Sequence, residues 1–133
     1  MLQRDYIVRL VREFMEALRR VLEKDETARQ DALLQLYSQY VGDATLFHQL
    51  SVDEIFDYLA ANEPDSARRD CKIEMLAELF LAEGDLQTGP LREMLHAKSF
   101  AFFDYLSAHS TTYSLDRIEK MARLRKEISQ SVE

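Results

Sequence analysis

One pair of residues has the spacing of metal ligands, Glu93 followed three residues later by His96. On a helix, residues three apart share a face, and ferritin-like di-iron sites combine such a pair with carboxylates from other helices. Those sites need a second pair, which the sequence lacks, although Glu74 and Glu78 could supply carboxylates. The alternatives are a metal-binding helical bundle or metal-dependent enzyme, and an ordinary surface pair, which we favour.

The other reactive side chains lack the companions that catalysis requires. Cys71 has cations nearby that would activate an exposed thiol, but the apolar period of its segment places it facing inward. His48 is expected at a helix end or partly buried, and His109 lies in a polar linker. A histidine acts as a general base only beside a positioned nucleophile and an orienting group. We therefore predict a non-enzymatic protein without a cofactor.

Length and composition indicate a helical scaffold for these residues. The chain has 133 residues, of which 47% are hydrophobic and 31% charged, so it can bury a core and is not intrinsically disordered. Three Gly and two Pro provide little turn chemistry for many short strands. We predict one all-α domain spanning residues 1–133.

The sequence indicates a cytoplasmic protein without a membrane span. A single cysteine allows no intramolecular disulfide, which fits a reducing compartment. Charged residues interrupt the N-terminus before an apolar signal region could form. The longest segments without Asp, Glu, Lys or Arg, 32–42 and 105–115, have 11 residues each. A spanning helix needs about 20 apolar residues.

Charge is distributed unevenly along the chain. The formal net charge of −7 comprises +2 in residues 1–24, −10 in residues 25–112 and +1 in residues 113–133. An acidic domain repels phosphate backbones, so we expect no nucleic-acid partner. The acidic centre either balances the basic ends within one fold or forms a surface for a basic partner. Attachment of the basic first helix to anionic membranes is a weaker alternative, because that helix also carries four acidic residues.

Apolar residues recur with helical period along most of the chain, and capping residues separate the segments. Ser51 and Glu54 match a capping box, Pro64 separates two segments, and Gly42 and Gly84 are expected to end helices. A short helix or turn is expected at 44–49. The six main helices are predicted at residues 2–24, 26–41, 52–61, 65–83, 90–107 and 115–130.

The fourth main helix resembles the first helix and turn of a tetratricopeptide repeat. Small Ala77 would admit a neighbouring helix, Phe80 would fill the space between helices, and Gly84 would permit the turn. The following segment departs from the motif at Glu93 and His96. This resemblance covers about a third of the chain. It implies antiparallel helical hairpins that bind peptides or protein surfaces. Its signature residues are Ile73, Leu76, Ala77, Phe80 and Gly84-Asp85.

The N-terminus resembles a second group of proteins. Asp5-Tyr6-Ile7 with Arg9-Leu10 is similar to the start of a small uncharacterised family of bacterial all-helical proteins. The resemblance implies a bacterial cytosolic origin and adds no catalytic residue. The predicted architecture is therefore either a tetratricopeptide-like superhelix or an irregular helical bundle.

The sequence has more aromatic residues than one helix face can bury, which indicates a binding surface. Phe100, Phe102 and Phe103 cannot all face one direction on a helix, so at least one is exposed or covered by another helix or chain. We predict binding of a protein or peptide, or of a second copy of the chain, in a groove between hairpins. In this hypothesis Phe102→Ala weakens association and leaves folding nearly unchanged. The predicted contact residues are Tyr37, Tyr40, Phe102 and Tyr105.

Overall fold

Seven helices and no strand form the part of the chain that the structure describes. The computed structural model describes residues 2–109 and 114–132, and the side chains of 5–109 and 114–130. The all-α prediction is therefore confirmed. The helices are α1 (Leu2–Leu22), α2 (Glu26–Tyr40), α3 (Ala44–Gln49), α4 (Val52–Asn62), α5 (Ser66–Asp85), α6 (Gly89–His109) and α7 (Leu115–Val132).

Side-chain caps fix where five of these helices begin, and at α7 the hydroxyl of Ser114 accepts a hydrogen bond from the backbone N–H of Arg117. Asp25, Asp43 and Asp65 each accept a hydrogen bond from a backbone N–H in the first turn of the helix that follows. Ser51 and Glu54 form the predicted capping box at α4. These caps satisfy amides that have no partner within the helix, so the boundaries follow the sequence closely.

Gly84 does not end α5 as expected; the helix continues through it to Asp85. A Cβ atom at Gly84 would lie 2.5 Å from Cδ2 of His96 and 3.3 Å from Cβ of Leu95. The glycine therefore allows α6 to approach α5 closely. Positive backbone φ occurs at the other two glycines, Gly42 and Gly89, in the described residues.

One hydrophobic core contains buried side chains from all seven helices, with α5 at its centre. The α5 helix packs most extensively against α6 and also contacts α1 and α2. The first halves of α1 and α5 line one cleft together and their second halves line another, so these helices run in the same direction. Contacts from Glu78 to Lys120 and from Asp85 to Arg123 give α7 that direction as well.

Candidate functional site

Tyr37, a predicted contact residue, lies in the core and not on the surface. Its side chain is fully buried, and its hydroxyl donates a 2.6 Å hydrogen bond to the carboxylate of Glu83. Burial and the neighbouring Glu83 carboxylate raise the pKa of Tyr37. The structure therefore leaves no surface of this side chain for a partner, contrary to the expectation that Tyr37 is a contact residue.

Glu83 also binds His48. The Nε2 atom of His48 lies 2.8 Å from the same Glu83 oxygen that Tyr37 contacts. The Nδ1 atom of His48 has no hydrogen-bond partner among the described residues. Every buried side-chain N or O atom in the described part of the chain has a partner, so this Nδ1 atom is not buried and reaches solvent. Glu83 therefore fixes the imidazole from inside the core and ties α2, α3 and α5 together.

Lys98 binds the C-terminal end of α3, the short helix that carries His48. Its buried ammonium donates to the carbonyl oxygens of Phe47, His48 and Leu50 at 3.3, 2.9 and 2.6 Å. Burial lowers the pKa of Lys98, and the nearby Glu54 opposes that change. These carbonyls lie at the end of α3, where the helix has no donors of its own to satisfy them, so Lys98 serves as a C-terminal cap.

Phe102 is another predicted contact residue that the structure places in the core. Its side chain is fully buried, stacked on Phe80 with a centroid distance of 5.8 Å and against the edge of Phe56. The burial of this ring argues against the expectation that Phe102→Ala leaves folding nearly unchanged. Tyr105 remains half-buried, and its hydroxyl donates to Asp70 at 3.1 Å. Burial, with this hydrogen bond, raises the pKa of Tyr105.

His96 is not the surface residue that its pairing with Glu93 suggested. It is 2% exposed and lies between two carboxylates, with Nε2 at 2.9 Å from Asp85 and Nδ1 at 2.8 Å from Glu127. Glu93 stays exposed and contributes to neither contact. The imidazole is buried because α6 approaches α5 closely at Gly84. The sequence around His96 gives no sign of this burial.

Ion pairs surround His96 and connect α7 to the rest of the fold. Arg92 donates to both Glu127 oxygens, and Arg123 donates to both oxygens of Asp85. No group of three His, Cys, Asp or Glu side chains suited to a metal ion occurs within the described ranges. The contacts of this cluster are those of an ion-pair network between α5, α6 and α7.

A cleft between the α1–α2 hairpin and α5 contains the fourth predicted residue, Tyr40. Its volume is about 440 Å³. The Tyr40 ring packs edge-on against buried Phe14, and its hydroxyl has no hydrogen-bond partner among the described residues. The lining residues are Tyr6, Ile7, Leu10, Glu13, Gln39, Tyr40, Glu63, Arg68, Cys71, Lys72 and Met75.

Charged residues in this cleft are only partly neutralised. Lys72 lies 3.4 Å from Glu63, whereas neither Arg68 nor Glu13 has an oppositely charged group within 4 Å in the part of the chain described. The Arg68 guanidinium lies 5.7 Å from the centroid of the Tyr6 ring. An apolar floor with an unpaired cation and an unpaired carboxylate suits an amphipathic ligand.

Cys71 lies in the floor of the cleft as a buried thiol, as predicted. Burial raises its pKa to about 11, with Glu74 contributing and Lys72 opposing. Such a thiol is a poor nucleophile at neutral pH.

Sequence analysis missed Tyr6 and Arg68 as residues of this cleft. Helical spacing places Arg68, Cys71 and Lys72 on one face of α5 and could have indicated a basic edge above the thiol. The position of Tyr6 opposite that edge depends on the packing of α1 against α5, which no spacing predicts.

Comparison with known protein families, curated proteins and solved structures finds no match to this chain. The two resemblances noted in the sequence therefore stay predictions. None of the described helices combines the length and apolar character needed to cross a lipid bilayer.

Proposed function

We propose that this chain is a non-enzymatic module that binds a peptide or protein segment in the cleft between α1, α2 and α5. The observation that carries the proposal is the cleft itself, which combines an apolar floor with three polar side chains, Arg68, Glu13 and Tyr40, that form no ion pair or side-chain hydrogen bond among the described residues. Pockets of about 300–1,000 Å³ are typical of ligand sites in proteins.

The polar groups specify the chemistry of the partner. Arg68 favours a carboxylate, Glu13 favours a cation or hydrogen-bond donor, and the Tyr40 hydroxyl can donate or accept. Between them, the half-buried Ile7 and Leu10 offer contact for an apolar side chain. A segment with an acidic, an apolar and a basic residue in close succession would complement Arg68, the apolar floor and Glu13, respectively.

A library of displayed random peptides, selected on the immobilised protein, provides the ligands for a test. We expect Arg68→Ala to weaken binding of the selected peptides about tenfold, because it removes a charge-assisted hydrogen bond. Tyr40→Phe should weaken them less. Arg29→Ala removes an arginine outside the cleft and is the matched control. Fluorescence anisotropy measures the affinities.

Two results would contradict the proposal. One is a selection that yields no peptide with measurable affinity. The other is a set of peptides that bind wild type, Arg68→Ala and Arg29→Ala equally, which would place their site elsewhere on the protein.

A further inference from the structure

Both carboxylates beside His96 are ionised, because each already accepts two hydrogen bonds from an arginine. Arg123 donates to the two oxygens of Asp85 at 3.1 and 3.0 Å. Arg92 donates to the two oxygens of Glu127 at 3.1 and 3.2 Å. A guanidinium group has donors only, so it favours the form of a carboxyl group that carries no proton. Neither carboxylate therefore has a proton to give to the imidazole.

The two nitrogens of the His96 ring face these two carboxylates. Nε2 lies 2.9 Å from Oδ1 of Asp85, and Nδ1 lies 2.8 Å from Oε2 of Glu127. At such distances a nitrogen that carries a proton attracts a carboxylate oxygen, whereas a nitrogen with a lone pair repels it. A neutral imidazole has one nitrogen of each kind. Only the imidazolium, with a proton on both nitrogens, makes both contacts favourable.

Charged groups on three helices face the ring. Asp85 of α5 and Glu127 of α7 contact it, and the exposed Glu93 of α6 lines the same small pocket. Arg92 and Arg123 oppose a positive charge on the ring, but each is bound to one of the contacting carboxylates. Three carboxylates and two guanidinium groups leave one negative charge, which an imidazolium balances.

We propose that His96 carries this second proton at neutral pH and that its loss in alkaline solution loosens the second half of α7, so that the cluster is a pH-sensitive switch. Packing decides which contact yields. A Cβ atom at Gly84 would lie 2.8 Å from Nε2, so the α5 backbone confines that side of the ring. Helix α6 also packs more extensively on α5 than on α7. The contact between Nδ1 and Glu127 is therefore the one that opens.

The direction of the effect follows from the two protonation states of the ring. Both carboxylates attract the imidazolium, whereas one of them faces a lone pair of the neutral ring. Docking of α7 is therefore strongest while the imidazolium persists, and it weakens as the pH rises and the ring loses its second proton. The first half of α7 is held by the ion pair between Lys120 and Glu78, which does not involve His96. Loosening should therefore concentrate in the second half.

Two NMR measurements on the full chain test the proposal. Ring ¹⁵N spectra at about pH 7 should show a proton on both nitrogens of His96, with the exposed His109 for comparison. Amide hydrogen exchange, corrected for its intrinsic rate, should show the protection of residues 124–128 falling about tenfold between roughly pH 6 and 8.5. One proton lost on opening changes the opening equilibrium by up to about tenfold per pH unit. Residues 118–122 should change less.

Matched variants separate this contact from general effects of pH. His96→Gln removes the titrating ring, and Glu127→Gln removes the negative charge beside Nδ1. In both variants the protection of residues 124–128 should no longer depend on pH in this way. Glu119→Gln is the same change at an exposed glutamate of α7 and should keep the wild-type pH dependence.

A single ring proton on His96 at about pH 7 overturns the proposal. Wild-type protection of residues 124–128 that is equal at both ends of the pH range overturns it too. So does a pH dependence that persists in His96→Gln or Glu127→Gln, because the titrating group then lies elsewhere. Circular dichroism confirms that each variant is folded, and Glu127→Gln alone serves if His96→Gln is not. Neither residue lines the cleft, so this test is independent of peptide binding.

Discussion

Replacement of Gly84 by alanine tests the packing of α5 against α6. The added Cβ would lie 2.5 Å from Cδ2 and 2.8 Å from Nε2 of His96, whereas ordinary contact begins near 3.4 Å. The imidazole must therefore move by about 1 Å. It cannot do so freely, because it is 2% exposed and lies within 3 Å of both Asp85 and Glu127.

The expected cost combines three effects. Overpacking of a close contact costs about 1–3 kcal/mol. Loss of the contact between His96 and Asp85 adds about 1.5–3 kcal/mol, as for a hydrogen bond to a charged group. Alanine recovers about 1 kcal/mol through its higher helix propensity. Gly84→Ala should therefore lower the free energy of unfolding by about 1.5–5 kcal/mol, and the middle of that range corresponds to a fall in Tm of roughly 10 °C.

A double-mutant cycle separates the clash from other effects of the substitution. In a His96→Ala background the ring is absent, so Gly84→Ala should be close to neutral or stabilise by up to about 1 kcal/mol. Urea unfolding followed by circular dichroism gives all four free energies. A Gly84→Ala variant as stable as wild type, or equal effects with and without the His96 ring, would refute the close approach of the two helices.

Three further predictions concern the core, a buried ion pair and the thiol. Phe102→Ala should lower the free energy of unfolding by about 3–5 kcal/mol, measured in urea, because the ring is fully buried. Lys120→Met should cost about 3–5 kcal/mol at pH 7, since it leaves the buried Glu78 carboxylate without its ion-pair partner. Burial raises the pKa of Glu78, so the folded variant binds a proton more readily than the unfolded chain, and its deficit against wild type should shrink as pH falls from 7 towards 4.5. Cys71 should react slowly with a thiol reagent in the folded protein, and faster as pH rises towards its pKa of about 11.

Each of these predictions has a control or a contradicting result. Leu115→Ala, at a side chain that is 58% exposed, should change stability by no more than about 0.5 kcal/mol. A deficit of Lys120→Met that grows as pH falls would contradict the burial of Glu78. Labelling of native Cys71 at the rate seen in urea would contradict its placement in the core.

Local chemistry made the helices predictable. Hydrogen bonds at the helix starts join residues no more than three positions apart, so both partners can be read from a short stretch of sequence. Examples are the caps at Asp25 and Asp43 and the Ser51–Glu54 capping box. The helical apolar period likewise identifies Phe14, Leu33 and Leu76 as core residues without knowledge of their neighbours.

Whether a candidate residue is buried or exposed depends on contacts with residues far away in the sequence. The sequence alone did not predict those contacts. The hydroxyl of Tyr37 binds Glu83, which lies 46 positions further along the chain, and His96 contacts Asp85 and Glu127 on two other helices. Helical spacing indicates that such residues share a face but not what the face meets. Tyr40 lines the cleft although Tyr37, three residues earlier, is buried.

The measurement that tests the proposed function most directly is an NMR titration of ¹⁵N-labelled protein with a selected peptide. Binding in the cleft predicts the largest amide shifts at α1 residues near Leu10, at Tyr40 and at Arg68 to Met75, with little change in α7. Largest shifts in α4, α6 or α7, with those three regions unchanged, would contradict the assignment of the cleft as the binding site.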